Sequence, residues 1–323
     1  MRPEGRPTPD AVRTVAVVGV GVIGGGWAAH FLRMGFDVVA WDPGPDAERR
    51  LSDLLDRAWP SLERLGLREG ASRSRLHFAD SLEAALAEAD FVQESSPEVL
   101  DSKIELLAAI DRLAAPGVVV ASSTSGFGMS AMAVECSTPG RFVVGHPFNP
   151  PYLIPLVEIV GGVKTDPETV AWAESFYGAA GKSCLTMEHE VPGFVGNRLQ
   201  EALWREALHM IDSGQATAQQ IDDSIVHGPG LRWALMGPIL TFHLAGGPDG
   251  MAHMLDHFAP ALLEPWTRLD APPLTEELRD GVVAGAVDVA GGETVYQLEQ
   301  RRDAFLVDLL LLLDKHRLRG GSV

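Results

Sequence analysis

The amino-acid sequence predicts an α/β protein with a mostly parallel, doubly wound sheet, followed by an all-helical C-terminal domain. Up to about Glu190, short and almost wholly apolar runs alternate with longer segments of helical periodicity. This is the pattern of a parallel sheet that helices cover on both faces. A glycine-rich turn follows the first apolar run, as it does in sheets that bind nucleotides. Beyond Glu190 only helical patterns remain.

Eight short runs that are rich in β-branched and other apolar residues predict the strands. Segments between them, such as 47–65 and 102–113, have helical periodicity. Asp166 followed by Pro167 is typical of a helix start. The predicted strands are Thr14–Val20, Asp37–Trp41, Arg75–Ala79, Asp90–Gln93, Val118–Ser122, Phe142–Gly145, Leu156–Val160 and Ser183–Met187.

The second half of the chain predicts helices only. Val191–Ser213 has the pattern of one long amphipathic helix, and Gln297–Arg317 predicts a long final helix. Between them, Thr217 and Gln220 have the spacing of a capping box at the start of another helix. We therefore expect two domains, residues 1–189 and residues 190–323.

Composition and charge exclude several classes of protein. The chain has 323 residues, of which 46% are hydrophobic, and this suffices for a packed core. A formal net charge of −18 would repel a phosphate backbone, so we expect no nucleic-acid partner. Two cysteines are too few for a disulfide scaffold or a cysteine-based metal site. The first ten residues lack the apolar region of a secretory signal, and the apolar run Phe305–Leu313 is too short to cross a membrane. We therefore expect a cytoplasmic protein. We also expect no metal.

The glycine-rich turn has the pattern G-x-G-x-x-G and opens a helical segment directly after the first predicted strand. In this context Gly19 permits the tight turn, Gly21 lets a pyrophosphate approach the backbone, and Gly24 lets the helix pack on the strand. Asp42 ends the next strand, where it can accept hydrogen bonds from the adenosine ribose and repel a 2′-phosphate. The turn predicts a Rossmann-type NAD site, with a flavin or a turn without ligand as alternatives. Its predicted cofactor-binding residues are Gly19, Val20, Gly21, Val22, Ile23 and Gly24.

A histidine follows the last strand of the parallel set, at the edge of the sheet where ligands bind. This residue is His146, and Glu158 lies in the next apolar run, which can return alongside it. A carboxylate on one ring nitrogen would fix the tautomer and make the other nitrogen a better base for removing the proton of a carbinol. Ser125 follows the preceding strand at the same edge, and its hydroxyl could bind the substrate oxygen. The alternative for His146 is a histidine that only caps a loop.

These motifs resemble those of the L-3-hydroxyacyl-CoA dehydrogenase superfamily over essentially the whole chain. The resemblance implies that His146 and Glu158 form the catalytic pair, and that Ser125 and Asn197 assist them. It also implies a homodimer formed through the helical domain. The implied contacts on the nicotinamide side are Glu98, Lys103, Ser125 and Asn149. The segments that carry the resemblance are the glycine-rich turn, Asp90–Glu94, Ser123–Ser125, His146–Pro150 and Gly193–Arg198.

Within this superfamily, the second half is most similar to the branch whose members oxidise L-carnitine. Pro155 stands where the acyl-CoA enzymes usually carry a basic residue, which argues against a CoA substrate. The resemblance implies NAD-dependent oxidation of the 3-hydroxyl of L-carnitine to 3-dehydrocarnitine. A dehydrogenase for another 3-hydroxy acid, such as L-gulonate, a short 3-hydroxyacid or its CoA ester, is one alternative, and a crystallin-like NAD-binding protein without turnover is another. The similar segments are 201–209, 230–233, 244–247 and 265–267, with 41–43 and 93–95 in the first half.

L-Carnitine carries a trimethylammonium group, which proteins hold against aromatic faces. We expect Phe148 to make such a contact because it lies two residues from the proposed base. The aromatic candidates in the helical domain, each of which could instead belong to a core, are Trp204, Trp233, Phe242 and Phe258. The candidates for pairing with the carboxylate are Arg198, Arg205 and Arg232.

Overall fold

The computed structural model describes residues 5–258, 267, 273 and 275–316. Its strands are β1 (Thr14–Val18), β2 (Asp37–Trp41), β3 (Leu76–Phe78), β4 (Phe91–Glu94), β5 (Val119–Ser122), β6 (Phe142–Pro147), β7 (Leu156–Gly161) and β8 (Ser183–Met187). They form one sheet in the order β3-β2-β1-β4-β5-β6-β7-β8. Only β6 and β7 pair antiparallel, so the prediction of a mostly parallel Rossmann-type sheet is confirmed.

Helices cover both faces of this sheet. They are α1 (Val22–Arg33), α2 (Ala47–Leu65), α3 (Leu82–Leu86), α4 (Leu100–Leu113), α5 (Met129–Met132) and α6 (Pro167–Ala179). The side chains of β1 alternate between two apolar clusters: Val15 and Val17 pack on the side of α1, α2 and α6, and Ala16 and Val18 on the side of α4 and α5. Because successive strand residues point to opposite faces, burial on both faces requires an apolar residue at every position.

The helices of the second half are α7 (Gly196–Asp212), α8 (Ala218–Val226), α9 (Gly230–Trp233), α10 (Pro238–Ala245), α11 (Gly250–Phe258), α12 (Glu276–Ala290) and α13 (Val295–His316). The capping box at Thr217 and Gln220 is present, as predicted. The prediction that one helix begins at Val191 is wrong, because α7 begins at Gly196. Gly193 and Phe194 just before it have positive φ angles of 71° and 53°, which are incompatible with a right-handed helix. No helix in the described ranges combines the length and hydrophobicity that a bilayer crossing needs.

The chain divides into two compact units. One runs through Val195 and includes the chain from Gln300 onward, and the other is Gly196–Glu299. The sequence predicts a second domain of residues 190–323, and this differs from the second unit at both ends. The final helix α13 contributes the fully buried Val307 to the core of the first unit, with Leu306 and Leu310 packed against that core. The last residue of the predicted final helix, Arg317, lies outside the described residues.

Candidate active site

The candidate site is built on the carboxyl edge of the parallel strands. β1, β2, β4, β5 and β6 are parallel to one another, so the loops that follow them leave the sheet at the same edge. These loops carry the glycine-rich turn, Asp42, Glu98, Ser125 and Asn149, and His146 lies near the end of β6. The sheet therefore brings most of the residues predicted in the first half of the chain to one edge.

The glycine-rich turn has the backbone that the fingerprint predicts. Gly19 has a φ of +86°, where a side chain is strained, and a Cβ at Gly24 would lie 1.8 Å from the carbonyl oxygen of Gly19. At Gly21, by contrast, a Cβ would meet no atom within 4 Å. Gly21 is also the N-cap of α1 and forms no side-chain cap, so the first N–H groups of the helix lie beside open space. This arrangement suits a pyrophosphate, which α1 would bind through its N–H groups and dipole.

Asp42 is anchored beside this turn. Its Oδ2 accepts a hydrogen bond from the N–H of Val20 at 2.9 Å, and its Oδ1 accepts one from the N–H of Gly44 at 2.7 Å. Each carboxylate oxygen can accept a second hydrogen bond. The carboxylate is therefore held next to the glycine-rich turn with capacity left for two ribose hydroxyls, as an NAD site requires.

His146 and Glu158 are direct partners across the antiparallel pair of β6 and β7. Residues that face each other across such a pair project their side chains from the same face of the sheet. His146 Nδ1 lies 2.8 Å from Glu158 Oε2, and the two residues are 4% and 0% exposed. The other carboxylate oxygen, Oε1, accepts the N–H of Val195 at 2.9 Å. Glu158 thus joins β6 to the segment that leads into α7.

The tautomer of His146 follows from this contact. A carboxylate can only accept, so Nδ1 carries the proton and donates it to Glu158. In the neutral ring, the lone pair is then on Nε2. Phe148 and Phe194 flank the ring, with centroids 5.0 Å and 5.3 Å from that of His146. They limit the movement of the imidazole.

A buried charge cluster lies at the ends of β4 and β5. Lys103 is 1% exposed and donates to Glu94 at 2.9 Å and to the carbonyl of Ser96 at 3.2 Å, and its Nζ lies 3.6 Å from Glu98. Glu98 Oε1 in turn accepts from the hydroxyl of Thr124 at 2.6 Å and from the N–H of Ser125 at 2.9 Å. The ammonium of Lys103 is thus committed to protein oxygens, and Lys103 positions Glu98 and the Ser125 loop.

Models of two family domains match this chain. The 3-hydroxyacyl-CoA dehydrogenase NAD binding domain matches residues 14–191, and the 3-hydroxyacyl-CoA dehydrogenase C-terminal domain matches residues 193–297. The chain belongs to the 3-hydroxyacyl-CoA dehydrogenase family. Its cofactor is NAD, and the open glycine-rich turn and the anchored Asp42 fit that dinucleotide.

Similar proteins within the family include L-carnitine dehydrogenases. That of Nocardiopsis dassonvillei is 61% identical over 315 residues, which cover 98% of this chain and 96% of the relative. That of Streptomyces griseus is 62% identical over 302 residues, or 94% of this chain and 90% of the relative. A solved structure of an NAD⁺-dependent dismutase, 5-formyl-3-hydroxy-2-methylpyridine 4-carboxylic acid 5-dehydrogenase, is also similar, with a TM-score of 0.82 and 30% identity. The match covers 94% of this chain and 99% of the other chain. This 3-hydroxyacyl-CoA dehydrogenase family member is therefore an NAD-dependent oxidoreductase that oxidises a hydroxyl group.

The remaining predicted residues belong to loops and to the second unit. Asn149 is exposed in the loop after β6, and Asn197 and Arg198 lie in the first turn of α7. Arg205 pairs with Glu201 on the same helix. The side chain of Phe258 lies outside those the structure describes. The other aromatic candidates of the helical unit are exposed on α7, α9 and α10, and they are Trp204, Trp233 and Phe242.

Sequence reasoning missed several polar residues of the first unit. In the sequence Glu94 is only one residue of a motif, whereas the structure shows it fully buried against Lys103 and the hydroxyl of Ser122. The apolar pattern of β4 contains Gln93 and Glu94 at its end, and two polar residues at the end of a buried strand are a signal of this kind. The hydrogen bonds that join a second group of polar side chains, around Ser123, give no local sequence signal.

Proposed function

We propose that this protein oxidises the 3-hydroxyl of L-carnitine to give 3-dehydrocarnitine and NADH. The observation that carries the proposal is the buried pair of His146 and Glu158, at 2.8 Å, on the sheet edge that also holds the dinucleotide turn. The pair supplies the base that any hydroxyl oxidation needs. The high identity to enzymes named L-carnitine dehydrogenase supports the choice of substrate.

Proton transfer in this proposal uses both nitrogens of His146. Nε2 takes the proton of the substrate hydroxyl, so that the ring becomes an imidazolium while the carbinol C–H bond breaks and a C=O bond forms. NAD, when bound, supplies the acceptor of the hydride that leaves the carbinol carbon. Glu158 keeps the Nδ1–H in place and stabilises the positive charge that develops on the ring. Burial of both side chains strengthens this charge interaction, because water does not screen it.

Hydrogen-bond donors for the substrate oxygen complete the site. The Ser125 hydroxyl lies on the loop that Glu98 holds through the N–H of Ser125. The family resemblance assigns Asn197 to the same oxygen. Glu98 and Asn149 are proposed to contact the nicotinamide side directly. Lys103 acts through Glu98, because its own N–H groups are used on protein oxygens.

The two charged ends of the substrate each need a partner in the protein. In L-carnitine the trimethylammonium nitrogen is two bonds from the carbinol carbon, so an aromatic ring beside the base is within reach of it. Phe148, whose ring packs against that of His146, supplies this face. For the carboxylate we propose Arg198, which follows Asn197 in the first turn of α7, in preference to Arg232 on α9 and to Arg205, whose guanidinium already pairs with Glu201. Trp233 and Phe258 stay proposed contacts because their aromatic faces could hold the trimethylammonium group.

We also propose that the protein is a homodimer formed by its helical unit. Leu231 and Ile239 in this unit are each 74% exposed, and further apolar side chains of α7 and α10 are at least about half exposed. Apolar exposure on this scale marks a surface that another protein covers. Light scattering after gel filtration should give twice the chain mass of 34.6 kDa, and the monomer mass at micromolar concentration would reject the dimer. Two unpaired thiols, Cys136 and Cys184, suit a reducing cytoplasm.

The substrate can be tested by following NADH formation at alkaline pH with NAD and a panel of hydroxy acids. The panel is L-carnitine, D-carnitine, L-gulonate, 3-hydroxybutyrate and 3-hydroxybutyryl-CoA. High pH favours oxidation because it removes the released proton. We expect turnover with L-carnitine alone. Turnover with another member in place of L-carnitine would reject carnitine as the substrate while keeping the base. Tight NADH binding without any turnover would favour a hydroxy acid outside the panel or a binding protein.

A further inference from the structure

A network of hydrogen-bonded side chains, most of them buried, links α1, the ends of β4 and β5, and α6. It consists of Trp27, Gln93, Ser95, Ser123 and Tyr177, and we refer to it as the hydroxyl network. Ser123 Oγ is its centre: it lies 3.2 Å from Trp27 Nε1, 2.9 Å from Gln93 Nε2 and 2.8 Å from Ser95 Oγ. The Tyr177 hydroxyl contacts Gln93 Oε1 at 2.5 Å. Trp27, Gln93 and Tyr177 are fully buried, so these groups depend on one another for hydrogen bonds.

The direction of every hydrogen bond in this network is fixed by the chemistry of its members. An indole N–H can only donate, so Ser123 accepts from Trp27. If the amide of Gln93 were turned round, the Tyr177 hydroxyl would accept from it, and the phenol proton would be buried without an acceptor among the described residues. Tyr177 therefore donates to Gln93 Oε1, and the amide N–H₂ donates to Ser123. With both lone pairs of Ser123 Oγ used, its single proton goes to Ser95 Oγ.

Ser95 is left with a proton of its own to donate. Its oxygen already accepts from Ser123, and its hydroxyl contacts no other acceptor in the described part of the chain. Ser95 directly follows β4 and is partly exposed. It also touches the glycine-rich turn: a Cβ at Gly24 would lie 3.1 Å from Ser95 Cβ, and a Cβ at Gly19 would lie 2.7 Å from the carbonyl oxygen of Ser95. The hydroxyl thus lies where β1 and β4 meet, at the point where the strand order reverses and a dinucleotide crosses the sheet.

We propose that Ser95 donates a hydrogen bond to the bound dinucleotide, at an oxygen of the pyrophosphate and nicotinamide ribose portion, and that the hydroxyl network fixes the direction of this proton. Ser95 is then a cofactor-binding residue. Trp27, Gln93 and Tyr177 are positioning residues, which act through Ser123. Gly145 belongs to the same arrangement, because a Cβ there would lie 2.2 Å from the Tyr177 hydroxyl and would displace it. This inference depends on the NAD cofactor and not on the identity of the substrate.

The test is the affinity of Ser95→Ala for three ligands, NADH, ADP-ribose and AMP, measured by calorimetry. Loss of one directed hydrogen bond should weaken the binding of NADH and of ADP-ribose by about tenfold. AMP lacks the second phosphate and the second ribose, so its affinity should stay within about twofold. Ser175→Ala is the matched control, because it removes an exposed serine hydroxyl that donates to the carbonyl of Ala171. Unchanged NADH affinity in Ser95→Ala, or equal losses for AMP and NADH, would overturn the proposal.

A double-mutant cycle tests the network separately. Tyr177→Phe frees the amide of Gln93 to turn, so we expect a loss of NADH affinity of about threefold in the otherwise unchanged protein. In the Ser95→Ala background the same change should have no further effect, because the proton whose direction it controls is gone. If Tyr177 had a purely structural role, Tyr177→Phe would weaken NADH binding equally in both backgrounds. That result would reject the network. If the affinities are unaffected while L-carnitine is still oxidised, this inference fails and the proposed function stands.

Discussion

Glu158→Gln is the change that probes the proposed base most sharply, because it keeps the shape of the side chain and removes one acceptor. Both carboxylate oxygens accept from N–H groups, His146 Nδ1 at 2.8 Å and the backbone of Val195 at 2.9 Å. A glutamine has one oxygen for these two donors. If its oxygen faces Val195, its amide donates to Nδ1, so the proton of His146 moves to Nε2 and the base is lost.

The opposite orientation is also damaging. If the glutamine oxygen faces His146, the amide N–H₂ meets the N–H of Val195, and two buried donors face each other at a cost of about 1–3 kcal/mol. The tautomer is then kept, but a neutral side chain no longer stabilises the imidazolium. In either orientation kcat should fall by about 10²- to 10⁴-fold, which is the usual contribution of a general base. The affinity for NADH should not change, because the glycine-rich turn and Asp42 are untouched.

The assay measures initial rates of NADH formation with saturating L-carnitine and NAD, together with NADH titration and thermal unfolding. Glu63→Gln is the control, because Glu63 is an exposed carboxylate on α2. It should behave like the unchanged protein in all three measurements. A folded Glu158→Gln protein that binds NADH and retains kcat within about threefold of the unchanged protein would refute the role of Glu158.

Two further changes test other parts of the site, and a third tests Lys182, a buried lysine of the first unit. Asp42→Ser should weaken NADH binding and raise the affinity for NADPH relative to NADH by at least about tenfold. The change removes the charge that opposes a 2′-phosphate and leaves Arg50 near Gly44. An unchanged preference between the two cofactors would remove Asp42 from the ribose site. Burial, with a smaller effect of Arg33, lowers the pKa of Lys182 to about 7, so the protein takes up a proton there on unfolding between pH 7 and the ordinary pKa. Urea unfolding gives the free energy of unfolding of the unchanged protein minus that of Lys182→Met. This difference should therefore rise by about 1 kcal/mol per pH unit from pH 7 to pH 9, and a difference that does not change with pH would contradict this. Phe148→Leu should raise the KM for L-carnitine by about three- to thirtyfold at unchanged NADH affinity, and an unaltered KM would place the trimethylammonium elsewhere.

The parts of the fold that the sequence predicts well are those with a local signal. All eight strands are identifiable because each is a short apolar run buried on both faces, and the glycine-rich turn is identifiable because only glycine fits its backbone at Gly19 and Gly24. The approach of His146 and Glu158 could be anticipated because the run around Glu158 can return alongside β6. The antiparallel register then makes them direct partners.

Features that depend on distant neighbours could not be predicted. The start of α7 is displaced because Phe194 takes a positive φ, which no periodic pattern reports. The apolar face of α13 indicates burial without indicating that Val307 packs in the core of the first unit. Ser123 receives its donors from α1 and β4, far away in the sequence. A serine gives no periodic signal, so its place in a network emerges only from the folded chain.

The central claim is that His146 is the base and is separate from the site that holds NAD. It is tested most directly by measuring, on one preparation of His146→Ala, the rate of NADH formation from L-carnitine and the dissociation constant for NADH. We predict a loss of turnover of at least about 10³-fold, with NADH affinity within about twofold of the unchanged protein. Retained turnover would contradict the assignment of the base, and a collapse of NADH binding would contradict the separation of the base from the cofactor site.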